Sequence, residues 1–264
     1  MQVEQILHQG NLEDALVQLQ NQVRKEPANP KLRVFLFQLL AVLGRWERAL
    51  NQLNVAGELD SVNLLMAQTY REAIQCEVLR GDVFDGIRTP LIFGDPPQWM
   101  ALLIEALRLD AQGHLQQAKA LRDQAFESAP TITGVCNDTA FAWIADADSR
   151  LGPVLESIVN GRYYWIPFLQ IRKIEIEKPT DLRDVVWMPA QFTWSNGGSS
   201  SGLIPTRYPG TEKTADGMLQ LARKTEWEEY FKDTYRGLGQ RILATDSQEY
   251  SLMDTLEIEI SGQE

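Results

Sequence analysis

The sequence predicts an α+β chain, with helical hairpins over residues 1–130 followed by a small, mainly-β part over residues 131–264 that is a curled sheet or barrel-like. Three observations predict it. A helical pattern returns at a fixed offset of 34 residues near the start of the chain. After Pro130 the Ala- and Leu-rich texture gives way to Trp, Tyr, Phe, Ile and Val broken by turn dipeptides, the change expected where a helical period of 3.6 yields to a strand period of two. The stretch 184–210, DVVWMPAQFTWSNGGSSSGLIPTRYPG, reads as two short strands around a Gly- and Ser-rich tip.

The repeat comes first along the chain. GNLEDAL at 10–16 realigns with GRWERAL at 44–50, so that Gly10/Gly44, Leu12/Trp46, Glu13/Glu47, Ala15/Ala49, Leu16/Leu50 and Leu19/Leu53 fall in register. An offset of 34 is the tetratricopeptide period: Gly ends helix A, a bulky residue opens helix B, and the small Ala lets the two helices approach closely. In a third copy Gly113, Leu115, Ala118, Ala125 and Pro130 take the places of Gly10, Leu12, Ala15, Gln22 and Pro27. Lys31–Leu43 is apolar nearly all round and should be the most buried helix of this half, with a narrow polar edge of Lys31, Arg33 and Gln38. Val62–Arg80 reads as one helix. The Gly- and Pro-rich segment 81–98 then interrupts the array, and a connection that long should lie over the surface or reach the other part of the chain. Pro96 and Pro97 start the next helix, Gln98–Ala111, where a missing N–H costs least.

In the C-terminal part VLESIV-NG-RYYWIPF is the clearest hairpin, because Asn160-Gly161 can take the left-handed angles of a type I′ turn. Phe141–Ala145 is expected as a strand before it and Ile171–Glu177 as a strand or turn after it. Val185–Trp194 and Gly202–Tyr208 are expected strands around a tip at Ser195–Ser201. Met218–Arg223, Gln240–Thr245 and Leu252–Ile260 follow as strands, with Glu226–Lys232 a helical turn. Six to eight short strands suggest a curled sheet or barrel whose closure protects its edges.

The net charge is −11, and acids outnumber bases in both 1–130 and 131–264, which argues against nucleic acid and anionic membrane surfaces as partners. The opening MQVEQILHQGNLEDAL has no basic start and no apolar core, and no run of about 18 apolar residues occurs, so a cytoplasmic location is expected. Cys76 and Cys136 give no disulfide framework. The two histidines, His8 and His114, lie in the helical repeats, which leaves the β part without a Ser/Cys–His nucleophile or a His-ligated metal. NGGSSSG lacks the Lys-Ser/Thr and the following helix of a phosphate loop. No catalytic residue, metal or cofactor is therefore assigned. Asp146 and Asp148 in DADSR keep one enzymatic alternative open. Two residues apart on a strand, they face one side, where they suit a divalent cation or an acid/base pair in a carboxylate-based hydrolase, with Asp181 or Asp184. The same pair serves equally well to cap a turn or to salt-bridge Arg150 and Arg162.

Helical repeats favour binding over catalysis, since stacked hairpins curve into a groove for a peptide or an amphipathic helix. The usual repeat geometry turns Lys31, Val34 and Gln38 of one helix A and Met100, Leu103 and Leu107 of another toward that groove; the competing expectation is that these side chains pack on the β part. Tyr163, Tyr164 and Trp165 must alternate across a strand, so at least one stays partly exposed and offers an alternative anchor surface. A general tetratricopeptide cochaperone is a further alternative, but the groove lacks the Lys/Arg cluster that clamps a terminal carboxylate, Lys31 being its main basic residue.

Four segments carry a family resemblance: RVFLFQLLAVLGRWERAL at 33–50, FAWIADADSRLGPVLESIVNGRYYWIPF at 141–168, DLRDVVWMPAQFTWSNGG at 181–198 and LIPTRYPG at 203–210. In them the chain resembles the ImpE/TagJ family of type VI secretion accessory proteins, over nearly its whole length and least at 51–63 and after about 230. The resemblance implies a cytoplasmic, non-enzymatic helper that binds the N-terminal helix of TssB, the small subunit of the contractile sheath, and through it bears on sheath turnover by the ATPase ClpV. It brings no catalytic residues. Ser199–Ser201 departs from any fixed family pattern.

Overall fold

Glycine punctuates the helical half. In the computed structural model, which describes residues 2–262, Gly10, Gly44 and Gly113 have φ of +79, +64 and +80, left-handed values that strain a residue with a side chain. Gly10 separates α1 (Gln2–His8) from α2 (Leu12–Lys25), and Gly44 separates α3 (Pro30–Val42) from α4 (Trp46–Leu59). Asn29 starts α3 by accepting from the backbone N–H groups of Lys31 and Leu32, with Pro30 at the first helical position. Ala15 and Ala49 are completely buried, as the close crossing requires, and every residue from Leu36 to Val42 is buried. A 3-10 turn, Ser61–Asn63, leads into α5 (Leu64–Phe84), which outruns the expected helix end at Arg80 by a full turn. The connection that follows does reach the other half. Its two-residue strand β1 (Leu91–Ile92) lies parallel to a later strand, Leu91 beside Tyr164 and Ile92 beside Trp165. α6 (Gln98–Ala111) and α7 (Leu115–Ser128) form the last hairpin, with Gly113 between them.

The strands of the C-terminal part are β2 (Thr133–Cys136), β3 (Thr139–Phe141), β4 (Ile144–Asp146), β5 (Val154–Val159), β6 (Arg162–Pro167), β7 (Ile171–Ile176), β8 (Trp187–Trp194) and β9 (Ser199–Pro205). After a one-turn helix α8 (Gly217–Gln220) come β10 (Thr225–Phe231), β11 (Thr234–Gly239), β12 (Ile242–Thr245), β13 (Glu249–Ser251) and β14 (Glu257–Gly262). Among the described residues the main sheet has nine strands in the order β1-β6-β5-β9-β8-β7-β14-β2-β3, with a separate ribbon β10-β11 and a small sheet β13-β12-β4. Asn160 (φ +50) and Gly161 (φ +70) make the expected left-handed turn between β5 and β6.

Several expectations are corrected. The sheet is open, with β1 and β3 at its edges, rather than closed into a barrel, and the strands outnumber the six to eight expected. Phe141–Ala145 is split between β3 in the main sheet and β4 in the small one. Met218–Arg223 contains α8 instead of a strand, because the Asp216 side chain caps the N–H groups of Met218 and Leu219. Glu226–Lys232 is strand, paired with β11 through a left-handed turn at Asp233 (φ +56). Leu252–Ile260 begins as a 3-10 turn, Leu252–Asp254, and only then becomes β14. Ser199–Ser201 belongs to β9 and leaves a four-residue tip, since Ser200 Oγ accepts from Trp194 Nε1 at 2.9 Å and Ser201 bonds the Gln191 amide at 2.8 Å.

Side chains on the two sheet faces build two apolar layers. Val154, Ile158, Tyr163, Trp165, Trp187 and Leu203 join Phe37, Leu39, Tyr70 and Leu103 of the helices in one cluster. Leu155, Val159, Ile166, Met188, Phe192 and Ile204 pack with Ile174, Leu243, Leu252 and Ile258 on the other face. Ring contacts fasten the first layer: Tyr70 to Trp187 at 5.6 Å and Phe84 to Trp165 at 6.0 Å between centroids. The helices thus share a core with the sheet across residue 131.

Three substitutions test this packing by urea titration. Ala49→Leu should overpack its crossing and cost about 1–3 kcal/mol. Gly217→Ala should also destabilise, since a Cβ there would stand 1.9 Å from the Gly10 carbonyl oxygen. Gly81→Ala, on an exposed helix position with nothing within 4 Å, should stabilise by about 0.5–1 kcal/mol; a loss at Gly81 or no loss at Gly217 would contradict the packing described.

Candidate functional site

β5 carries a glutamate in an otherwise buried run, VLESIV, and Glu156 is completely buried on the face toward the helices. An isolated carboxylate cannot stay ionised there, so the surroundings must supply donors. Arg80 of α5 makes a two-pronged pair, Nε to Oε1 at 2.7 Å and Nη2 to Oε2 at 2.9 Å. Arg241 Nη2 closes on Oε2 and the Tyr163 hydroxyl on Oε1. Burial opposes ionisation, but the two guanidiniums and the hydroxyl overcome it and hold Glu156 at about 2.

The network spreads from this carboxylate in both directions. Arg80 Nη1 reaches Glu77 at 3.3 Å and Nη2 reaches the Arg207 carbonyl at 2.8 Å, while Glu77 accepts from Trp187 Nε1 at 3.1 Å. Burial raises the Glu77 carboxyl, with Arg80 opposing it. Arg241 pairs with Asp146 and donates Nε to the Pro205 carbonyl at 2.9 Å. Burial raises Asp146 to about 6 against the pull of Arg241. Arg207 Nη1 donates to the carbonyls of Val42, at the end of α3, and Gln220, at the end of α8; burial lowers it to about 10.

Asp146 and Asp148 are therefore occupied. Asp146 Oδ1 accepts from the Asp148 N–H at 2.9 Å and the Tyr208 hydroxyl at 3.1 Å, and its Oδ2 holds Arg241. Asp148 takes Arg150 Nε at 2.8 Å, Arg150 Nη2 at 2.6 Å and the Gly237 N–H at 2.9 Å. Both are buried, and every carboxylate oxygen is engaged, which leaves no open position for a cation or a substrate. Arg150 is the partner expected for the pair, whereas Arg162 is exposed and its place is taken by Arg241. Asp181 and Asp184 serve their own 3-10 turn as a capping box, Asp184 Oδ2 accepting from the N–H groups of Thr180 and Asp181 at 2.7 Å each. No group of three or more His, Cys, Asp or Glu suited to a metal ion occurs among the described residues. Burial pushes the thiols of Cys76 and Cys136 up to about 12.

The six groove candidates divide between surface and core. Lys31 is exposed and Val34 half-buried, but Gln38 is buried, and Met100, Leu103 and Leu107 lie in the helix–sheet core. Residues of the β part occupy the inner side of the helices: Arg183 stacks on Tyr70 at 4.8 Å and Trp187 packs against Trp46 and Tyr70. The chain fills its own groove. On β6, Tyr163 and Trp165 point into the charge network, Trp165 Nε1 donating to the Tyr163 hydroxyl at 2.8 Å, and only Tyr164 is partly open, edge-on to Phe93 at 5.6 Å. Sequence reasoning missed Arg80, Glu156 and Arg241. The available signal was the acid inside VLESIV, which demands a basic partner without saying which.

A cleft of about 560 Å³ opens over one end of the network, between α5, residues 209–214 and the β10-β11 ribbon, where Arg150 lies over the Phe84 ring at 4.8 Å. It exposes mixed charge, with Glu212 and Glu228 beside Lys213 and Arg236.

Residues 138–259 match the family model described as ImpE protein, and residues 7–69 match a tetratricopeptide repeat model. Over 259 residues the chain is 52% identical to the type VI secretion system accessory component TagJ of Pseudomonas aeruginosa, an alignment spanning 98% of this chain and 91% of that protein. A crystal structure of a Vibrio parahaemolyticus protein has the same fold, with a TM-score of 0.90 at 26% identity over 100% of this chain and 98% of that one.

Two substitutions test the network. Glu156→Gln leaves Arg80 and Arg241 buried without their shared charge and should cost about 3–5 kcal/mol near neutral pH. Asp146 works with the opposite pH sign to Glu156. Its folded pKa lies above the usual 3.8, so the stability it contributes is complete below that value and is lost as pH rises through about 6. Asp146→Asn should therefore improve relative to the parent as pH rises across that window, whereas the Glu156 contribution is lost only as pH falls below 4.5 toward about 2. Urea midpoints at a series of pH values measure both, and parallel curves for parent and Asp146→Asn would contradict the assignment.

Proposed function

The chain belongs to the ImpE family, and on that premise we propose that it is a non-enzymatic accessory component of type VI secretion that binds the N-terminal helix of the small sheath subunit TssB. Likeness over nearly the whole length to an accessory component of that system supports the role. One structural observation carries the non-enzymatic part: the carboxylates best suited to chemistry, Asp146, Asp148 and Glu156, are buried and have every oxygen engaged by arginines, N–H groups or hydroxyls. Catalysis needs an acid or base with a free edge toward substrate, and these have none. Holding the TssB helix would bear indirectly on how ClpV takes the sheath apart. No helix among the described residues is long and apolar enough to cross a membrane.

The test is fluorescence anisotropy of a labelled TssB N-terminal peptide against the full chain. Burial of an apolar stripe at about 25 cal/mol per Å² should dominate, so the affinity should fall by less than about tenfold between low and high salt. Absence of saturable binding would remove TssB as the partner. The hydrolase or metal reading is tested by calorimetry with Mg²⁺, Ca²⁺ and Mn²⁺: no saturable heat is expected, and heat that disappears in Asp148→Asn would replace the proposal with an enzymatic one.

A further inference from the structure

We infer that the corner where α4 meets α5 is the docking surface for the partner helix, and that it takes an amphipathic helix carrying Lys or Arg beside its apolar stripe. The inference rests on the helix-binding reading above and adds the place and the chemistry. Four apolar side chains crowd that corner in the open: Leu59 is 40% exposed, Val62 84%, Leu64 57% and Leu65 78%. Single exposed apolar residues are ordinary on a soluble surface, but a contiguous group within seven residues of chain is a patch that a partner can cover.

The corner is braced. Gly57 of α4 is buried where the helices approach, and a Cβ there would stand 3.4 Å from the Ala67 Cβ and 3.6 Å from Leu64 Cδ2. The Asp60 carboxylate accepts from the Val62 N–H at 3.0 Å, and Asn63 Nδ2 donates to the Ala56 carbonyl at 3.3 Å. The apolar side chains are thus displayed by fixed backbone, so little ordering cost falls on the protein when a helix lands there.

The repeat architecture says what shape belongs on this side. α4 turns back along α3, and in a continuing array another helix would turn back along α5 in the same way. Here the chain leaves α5 for β1, and α6 and α7 pack chiefly on each other. The outer side of the first turns of α5 is left without the helix that stacking would place beside it. A helix from another protein fits that position.

Charge selects among helices. Glu58 and Asp60 flank the patch, and the first cation along α5, Arg71, stands two turns further on, where it donates to Asn54 Oδ1 at 2.9 Å. A basic amphipathic helix is steered to such a rim. A second copy of this chain is not, because two molecules of net charge −11 repel one another where a basic helix is attracted.

The experiment is anisotropy of the labelled TssB N-terminal peptide against the full chain and its Val62→Asp, Leu65→Asp, Glu58→Lys and Val78→Asp variants, with sedimentation velocity of the parent and Val62→Asp. All four positions are exposed, so folding is not at stake. The expected result is binding weakened at least about tenfold by Val62→Asp and Leu65→Asp, weakened at low salt by Glu58→Lys, and within about twofold of the parent for Val78→Asp on the same helix. Equal binding by parent, Val62→Asp and Leu65→Asp overturns the surface and leaves the helix-binding reading standing. A parent that binds no peptide overturns both. A parent dimer dissolved by Val62→Asp overturns the choice of partner in favour of self-association.

Discussion

Two guanidiniums closing on one carboxylate set the relation between the halves of this molecule. Arg80 comes from a helix, Arg241 from the segment before β12, and Glu156 from the middle of the main sheet. Each is buried against the others, and removing one leaves the network a charge short, at a cost of several kcal/mol after relaxation. Such a network adds little to stability over a well-packed apolar substitute. Its effect is to discriminate, since any other docking of α5 on the sheet strands charges in the core. Arg207 extends the same constraint to α3 and α8, whose last carbonyls it satisfies.

That constraint decides which helix faces stay open to solvent. A tetratricopeptide array ordinarily offers the side lined by its A helices, but here the β part lies on α3 and α5 and supplies Trp187, Trp165 and Arg183 as permanent occupants. In the reading proposed above, a partner helix is left the outer surfaces. The cleft over Arg150 is charged on both walls, whereas the α4–α5 corner is apolar, and a helix gains most from the second. An accessory protein built this way presents a rigid surface rather than an enclosing groove.

The helical half was legible because its signals are local: Gly at a left-handed position, Ala at a crossing and Pro at a first turn each act through neighbours in sequence. The Asn160-Gly161 hairpin was legible for the same reason. Met218–Arg223 was misread because four apolar or small residues look alike in a strand and in one helical turn, and the deciding atom is the Asp216 carboxylate before them. Glu226–Lys232 was misread because Glu228-Glu229 and Tyr230-Phe231 break the alternation on an exposed ribbon that has no buried face to set its period. The site calls for pairings between residues 76 to 95 positions apart, such as Arg80 with Glu156 and Asp146 with Arg241, which no spacing rule encodes. Met100, Leu103 and Leu107 read as one apolar helix face that either lines a groove or packs on the β part, and their burial in the core decides for the second.

Helices and sheet stand or fall as one body around Glu156. Native-state hydrogen exchange in increasing urea tests it most directly, followed on amides of α3 and α5 beside those of β5 and β6. The slowest amides of all four elements are expected to converge on a single opening free energy and denaturant dependence. Helical amides that open well below the sheet, while β5 and β6 stay protected, would contradict it.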